Sequence, residues 1–346
     1  MSHKFPYKWN LTNGYPAKNI EKHNLKVFGT FICGGGSTMG YKLAGFEHLG
    51  GVEIDESVAD VYKANHNPKY LYVEDIRDFA NRNNYPKELY ELDILDGSPP
   101  CSSFSMSGNR EKDWGKEKVF REGQTLQKLD DLFFDYIKLA KKLQPKVVIA
   151  ENVKGLIQGN AKSYVKKIKK GFEEAGYKVQ LFLLNAASMG VPQKRERVFF
   201  ICQRNDLNLP KLVLKFNEKS INAKLVLDYD SNGKKLTELE NKYYKLAKQG
   251  ESVGKFKTNK KYNENKVPGT IVANGFYFHP TIARKINSKE YKLIGSYPLD
   301  YNFKKIEPKY LIGMSVPPVM TAQIANEIYL QWFKTTENST KKRTNG

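Results

Sequence analysis

The sequence predicts an α/β fold: a doubly wound, mostly parallel sheet with helices on both faces, joined to a smaller irregular segment. Three observations carry this reading. Short apolar runs alternate with amphipathic stretches from Leu25 to about Ile201, the pattern of strands joined by crossover helices. One of those runs breaks into a glycine cluster that opens a helix. Regular patterning then fades after about Arg204 and returns only near residue 310.

Seven apolar runs are candidate strands: VFGTFI, GGVEI, LYV, LDIL, KVVIA, VQLFLL and RVFFI. Between them lies a clear helix at about 127–143. It carries Leu129, Leu132, Phe133, Tyr136, Ile137, Ala140 and Leu143 at three- and four-residue spacing and stops before Pro145. A second helix, SYVKKIKKGFEEAG, puts Tyr164, Ile168 and Phe172 on one face, with Gly176 as its C-terminal stop. Residues 1–24 read as a polar, proline-containing lead-in. Residues 204–276 are rich in Lys and Asn and read as an irregular domain or flexible loops. Ile324, Ile328 and Phe333 mark a terminal helix, followed by the polar tail STKKRTNG, which is expected to be disordered.

Composition narrows the class. The 57 Lys and Arg against 37 Asp and Glu give a net charge of +20, which points to a polyanionic partner. Cys33, Cys101 and Cys202 are an odd, sparse set, so a disulfide framework is disfavoured and a reducing compartment favoured. There is no CxxC or HExxH, and the five histidines are scattered, so no metal site is expected. The N-terminus lacks the apolar core of a signal peptide, and no apolar run approaches membrane-spanning length. A soluble, cytoplasmic protein with no membrane partner is expected.

Four local patterns carry chemistry. VFGTFICGGGSTMGYKLAGF runs from strand through glycines into a helix, where backbone approaches a ligand closely. Gly34 and Gly36 fit the first two positions of a dinucleotide fingerprint, but Met39 stands at the third, so a pyrophosphate site is weakly supported. Glu53 after the second strand and Asp75 after the third suit a nucleoside-like ligand without phosphates, a description that S-adenosylmethionine fits. The second pattern is DGSPPCSSFSMSG, in which Pro99 and Pro100 stiffen the backbone before Cys101. The third, VVIAENVKGL, ends a buried strand at Glu151. Ligands of open α/β sheets bind beyond the carboxyl ends of strands, so Cys101 and Glu151 should share one crevice. In the fourth, GVPQKRERVFFI, Gln193, Arg195 and Arg197 lie on one face of a strand. Each pattern also has a bland reading: a tight turn, a small buried thiol, a helix-capping acid, charges protecting a sheet edge.

Taken in order, the motifs resemble those of the DNA (cytosine-5)-methyltransferase family. They are Phe31 to Gly40, Glu53, Asp75-Ile76, Pro100-Cys101 with Phe104-Ser105, Glu151-Asn152-Val153, Gln193-x-Arg195-x-Arg197, and Gly313-x-Ser315-Val316-Pro317-Pro318. Thr270-Ile271-Val272 resembles the short element of the family's target-recognition domain, and Arg284 with Glu290 the motif after it. The match covers nearly the whole chain beyond residue 25. The chain departs from the pattern at Gly29, where an acid is common, and at Cys33, where the first glycine usually stands. Met314 replaces an asparagine, and Ser102 a frequent glutamine.

The resemblance implies a Rossmann-like, S-adenosylmethionine-dependent methyltransferase fold. It implies an N-terminal extension (1–24), a catalytic cofactor-binding domain (25–203), a target-recognition domain (204–310), a return to the catalytic domain (311–334) and a tail (335–346). Catalysis would fall to Cys101, Glu151, Arg195 and Arg197. Phe31, Gly35, Gly36, Glu53, Ile54, Asp75, Ile76, Ser98, Pro100, Ser315 and Val316 would hold the cofactor. Ser105, Gln193, Thr270 and Arg284 would contact double-stranded DNA. In this chemistry a Cys101 thiolate adds to C6 of cytosine and makes C5 nucleophilic. Glu151 shares a proton with N3, and Arg195 holds the O2 side. The base must leave the duplex stack, and residues 105–125 are expected to close over it. A monomer suffices, and a cognate restriction endonuclease is the implied functional partner. The two-proline loop is shared with relatives that methylate tRNA, but residues 204–270 lack their Cys-Phe-Thr signature. A catalytically silent DNA-binding regulator is the third reading, and the intact Cys101, Glu151 and Arg195 speak against it.

Overall fold

Seven strands form one sheet in the order β3-β2-β1-β4-β5-β7-β6. They are β1 (Lys26–Thr30), β2 (Glu47–Glu53), β3 (Tyr70–Val73), β4 (Ile94–Gly97), β5 (Val147–Val153), β6 (Tyr177–Asn185) and β7 (Glu196–Arg204). All seven apolar runs became strands. The structure is a computed structural model that describes residues 4–100, 131–158, 161–230 and 233–334. Cys101, Ser102, Ser105, the 105–125 stretch and the 335–346 tail lie outside the described residues. The first five strands are mutually parallel where they pair. β7 inserts between β5 and β6 and is antiparallel to both. The order reverses between β1 and β4, which opens a crevice at their carboxyl ends, the place where doubly wound sheets bind ligands.

Alternation along the strands builds two apolar layers. Val27, Ile94, Ile149 and Phe199 face α1 (Gly36–Leu43) and α9 (Pro318–Ile328). Phe28, Leu95, Val148 and Phe200 face α3 (Ile76–Asn81), α4 (Leu132–Leu143) and α5 (Lys162–Glu174). The helix expected at 127–143 is α4 in its described part, and α5 buries Tyr164, Ile168 and Phe172 as its spacing predicts. Gly176 follows α5 at φ 98°, a left-handed stop that glycine adopts without penalty. Ile324, Ile328 and Phe333 are buried, so the terminal helix is real.

Two expectations needed correction. The N-terminal lead-in is no loose extension: Phe5 and Trp9 enter the core, and the Trp9 indole donates to the Ser296 carbonyl at 3.0 Å. The 204–276 stretch is irregular, as expected, yet it is not a set of core-free loops. Leu212, Ile221, Ala223, Val226, Tyr262 and Ile271 are buried in the same cluster as α1 and α9. Tyrosines and isolated aliphatics, too widely spaced to show periodicity, do this packing. The regular elements between residues 238 and 314 are α6 (Glu238–Leu246), the two-residue strands β8 (Lys260–Lys261) and β9 (Tyr277–Phe278), α7 (Ser288–Ile294) and α8 (Pro308–Met314). Among the described residues no helix is long and apolar enough to cross a membrane.

Candidate active site

The turn after β1 is built to present backbone. Phe31, Cys33 and Gly35 all have positive φ, at 54°, 47° and 79°. Glycine is free there, whereas Phe31 and Cys33 carry strain that surrounding contacts must hold. Glu53 supplies one such contact: its Oε2 accepts the Cys33 N–H at 2.9 Å and its Oε1 the Asp55 N–H at 3.0 Å. The Gly34 carbonyl accepts from the Tyr301 hydroxyl at 2.6 Å and bonds His66 Nε2 at 3.2 Å. Burial pushes the Glu53 carboxyl upward and the Cys33 thiol up to about 12, so Cys33 is a poor nucleophile.

The missing residues of the family pattern have physical counterparts. A Cβ on Gly29 would lie 2.7 Å from Ile32 Cγ2, so the Ile32 side chain leaves little room for one there. Glycine is required at position 36 for a different reason. A Cβ there would meet the Val316 carbonyl at 2.2 Å and Ser315 Cβ at 2.9 Å. The late Ser315-Val316 pair thus docks directly on the start of α1. Phe31, Gly36, Ser98, Met314, Ser315 and Val316 border one cleft, which joins segments from three parts of the chain.

The acid positions differ in character. Glu53 is held by backbone N–H groups at the floor of the turn. Asp75 caps α3, accepting the Arg77 N–H at 2.8 Å and pairing with Arg77 Nη1 at 2.8 Å. Ile76 is buried at 4% exposure, while Ile54 stands 43% exposed beside Glu53. An apolar side chain left open next to a nucleoside-sized turn is a surface that a ligand ring would cover.

The carboxylate of Glu151 sits one strand further along. Glu151 and Arg197 are half of an antiparallel register in which Glu151 opposes Phe199 and Val153 opposes Arg197. Arg197 is therefore the diagonal same-face neighbour of Glu151. Its Nε reaches Glu151 Oε1 at 2.9 Å, with both side chains largely buried. Burial works against the Arg197 charge, and Glu151 is the group that supports it. Asn152, next in sequence, donates from Nδ2 to the Pro99 carbonyl at 3.0 Å, and its Oδ1 accepts the Val153 N–H at 2.8 Å. That bond fixes the entry to the Pro99-Pro100 loop beside Glu151. Cys101 itself lies outside the described residues.

Arg195 and Gln193 do something other than the sequence suggests. Arg195 is 2% exposed. It donates from Nη1 to the Ile271 carbonyl at 3.2 Å and from Nη2 to the Gly313 carbonyl at 3.0 Å. Burial lowers its pKa, but two carbonyl acceptors favour the charged form. Gln193, 1% exposed, accepts the Ile271 N–H at 3.1 Å. Thr270, which is half-buried, donates to the Lys194 carbonyl at 2.7 Å. Gly313 allows 272–273 to pass close by, since a Cβ there would lie 2.6 Å from the Ala273 nitrogen. These three motifs are one junction. The guanidinium beside Glu151 belongs to Arg197, while that of Arg195 lies against Ile271 and Gly313. Gln193 is too buried to read DNA, which corrects that expectation.

Arg284 is corrected likewise. It forms a two-pronged pair with Glu290, Nη1 to Oε2 and Nη2 to Oε1, each at 2.8 Å. The side chains are 3% and 0% exposed. Glu290 also accepts the Asp228 and Asn287 N–H groups. Arg284 is consumed inside the fold and presents nothing to a duplex. Sequence reasoning missed the Asn152 bond and the Asp96 carboxylate, both of which depend on contacts distant in sequence.

The family model for C-5 cytosine-specific DNA methylase matches residues 25–260, and the chain belongs to that family. The Type II methyltransferase M.FnuDI of Fusobacterium nucleatum is 36% identical over 189 residues, 54% of this chain and 48% of that protein. M1.HphI of Haemophilus parahaemolyticus, also a Type II methyltransferase, is 27% identical over 335 residues, covering 88% of this chain and 87% of that one. The chain spans about half the length of the first curated relatives it matches. Among solved structures, a DNA modification methyltransferase encoded within an E. coli prophage superposes with TM-score 0.70 at 19% identity, covering 89% of this chain and 99% of that one. The Spodoptera frugiperda DNMT2 superposes with TM-score 0.63 at 18% identity, covering 88% and 100%. These likenesses show a shared fold, the Rossmann-like methyltransferase sheet.

Proposed function

We propose that this protein is a site-specific DNA (cytosine-5)-methyltransferase acting on double-stranded DNA. The observation that carries the proposal is the Glu151–Arg197 pair at 2.9 Å, with the Pro99 carbonyl held by the adjacent Asn152. A carboxylate that manages a proton is thereby set beside the loop that leads into a cysteine. Residues 25–203 and 311–334 form the catalytic part in this reading, and 204–310 the target-recognition part.

The residues present fit S-adenosylmethionine. Glu53 holds the backbone of the glycine turn, Ile54 offers an open apolar side chain, and Ser315 and Val316 close the cleft over Gly36. When bound, the cofactor supplies an electrophilic methyl group. Cys101 adds to C6 of a flipped-out cytosine, which converts the ring to an enamine nucleophilic at C5. Glu151 holds a proton at N3 as charge develops there, and Arg197 keeps the carboxylate aimed and balances its charge. After transfer the C5 proton leaves and the Cys101–C6 bond breaks. The excess of cationic side chains provides the phosphate contacts. The Type II relatives support a cytoplasmic protein working opposite a restriction endonuclease.

The test is transfer of a tritiated methyl group from S-adenosylmethionine to duplex DNA and, separately, to tRNA, with nucleoside analysis of each product. Label recovered as 5-methylcytosine in DNA, and lost with Cys101→Ala, supports the proposal. Label in tRNA alone overturns it.

A further inference from the structure

Asp96 has no role in any of the sequence motifs. It is the third residue of β4, on the same face as Ile94 and therefore turned toward α1. Its side chain is 8% exposed. The Tyr41 hydroxyl donates to its Oδ1 at 2.9 Å, and the Ser37 hydroxyl also bonds it. It borders the same cleft as Phe31, Gly36, Ser315 and Val316. Among the described residues no lysine, arginine or histidine is ion-paired with it. Among the described residues, the charge that bears on it is another carboxylate, Glu151, which disfavours its ionisation.

A buried carboxylate with two hydroxyl donors and no cation among the described residues is an incomplete arrangement, because desolvation opposes a negative charge that none of them balances. The opening is toward the cleft. In register, Asp96 pairs with Ile149 and Gly97 with Ala150, so Glu151 is one step beyond. Asp96 thus stands between the first turn of α1 and the catalytic carboxylate. If the methyl group passes from this cleft to a base beside Glu151, the cofactor's charged sulphur would lie in that interval, where Asp96 would face it. We propose that Asp96 is the counterion of the cofactor's sulfonium and sets the preference for that cation over the neutral sulfide product.

This inference rests on the proposed use of S-adenosylmethionine. The same contact would ease product departure, since the charge that Asp96 balances disappears when the methyl leaves. The groups facing Asp96 are Tyr41 and Ser37 from α1, Tyr62 from α2 (Glu56–His66), Tyr136 from α4 and Glu151 from β5. Burial is the largest influence on it and pushes its carboxyl up to about 7. Binding of a cation therefore tightens as Asp96 ionises, which is as pH rises through that value.

The experiment is titration calorimetry of the full chain with S-adenosylmethionine and with S-adenosylhomocysteine, on the wild type, Asp96→Asn and Tyr41→Phe. Asp96→Asn is expected to weaken the sulfonium ligand about tenfold and the sulfide less than about twofold, the scale of one partly desolvated charge contact. The wild-type affinity ratio of the two ligands is expected to rise from pH 6 to pH 8, and to be flat in Asp96→Asn. Tyr41→Phe removes a donor to the carboxylate, so the midpoint of that rise should move to higher pH. Equal weakening of both ligands, or an unchanged ratio, overturns the inference. Should Asp96→Asn fail to fold by circular dichroism, a flat wild-type ratio overturns it and a rising one with the Tyr41→Phe shift supports it. If the wild type binds neither ligand, the underlying reading fails instead.

Discussion

Arg197 Nε lies 2.9 Å from Glu151 Oε1, across the antiparallel pairing of β5 and β7. The contact exists because Arg197 is two residues from Phe199, the direct partner of Glu151, and side chains two apart share a face. Two consequences separate. Glu151→Gln keeps the shape and an acceptor for Arg197 but removes the charge that supports the buried guanidinium, so stability should fall by about 1–2 kcal/mol, less than on losing Arg197. Its methyl-transfer rate should fall by about 10²–10⁴, the usual contribution of a placed acid or base. Arg197→Ala leaves a largely buried carboxylate without its partner and should cost about 2–3 kcal/mol of stability as well as activity. Denaturant unfolding and turnover, measured on both variants, distinguish the two.

Arg195 offers a contrast within the same strand approach. Its two donors go to the Ile271 and Gly313 carbonyls, which belong to different segments of the chain. Arg195→Met should therefore lower stability by about 3 kcal/mol, through two buried carbonyls left without donors. If Arg195 instead contacted the base, the variant would lose turnover while keeping its unfolding midpoint.

The Arg284–Glu290 pair makes a third test. Both side chains are essentially inaccessible, and the carboxylate also accepts two backbone N–H groups. Glu290→Ala should cost about 3–5 kcal/mol, because an unpaired guanidinium remains buried. High salt should not reproduce that loss, since screening reaches buried pairs weakly. A variant as stable as the wild type would show that the pair does not hold this region together.

Gly36 should tolerate no side chain. A Cβ there meets the Val316 carbonyl at 2.2 Å, a backbone atom that cannot rotate aside. Gly36→Ala should displace Ser315-Val316 from α1 and weaken S-adenosylmethionine binding at least about tenfold in calorimetry. Unchanged affinity would mean that the two segments need not touch for the cleft to work.

The strands and the placement of Glu151 at the end of β5 were legible in the sequence because they depend on local alternation and on short motifs. VVIAENV shows its burial and its terminal acid within seven residues. What was not legible depends on partners distant in the chain. Nothing near Arg195 says that its guanidinium will meet carbonyls at 271 and 313; alternation put it on one strand face with Arg197, and the resemblance implied a place beside the base. Arg284 reads as a cation for phosphates until Glu290 is seen to occupy it. Asp96 looks like an ordinary strand-end acid until Tyr41 and Ser37 are placed against it. The 204–276 stretch hid its core because Tyr262, Ile271 and their neighbours are spaced without a period. The cofactor turn lies between these cases: its glycines were visible, but the reason for Gly36 is Val316, 280 positions later in the chain.

The central claim is that this site methylates cytosine at C5 within one DNA sequence. Bisulfite sequencing of DNA from a host lacking other cytosine methylation, expressing the full chain or its Cys101→Ala variant, tests it most directly. The account predicts cytosines protected from conversion at one short recurring sequence with the wild type and none with the variant. Complete conversion with the active, folded wild type, or the same protection in Cys101→Ala, would contradict it.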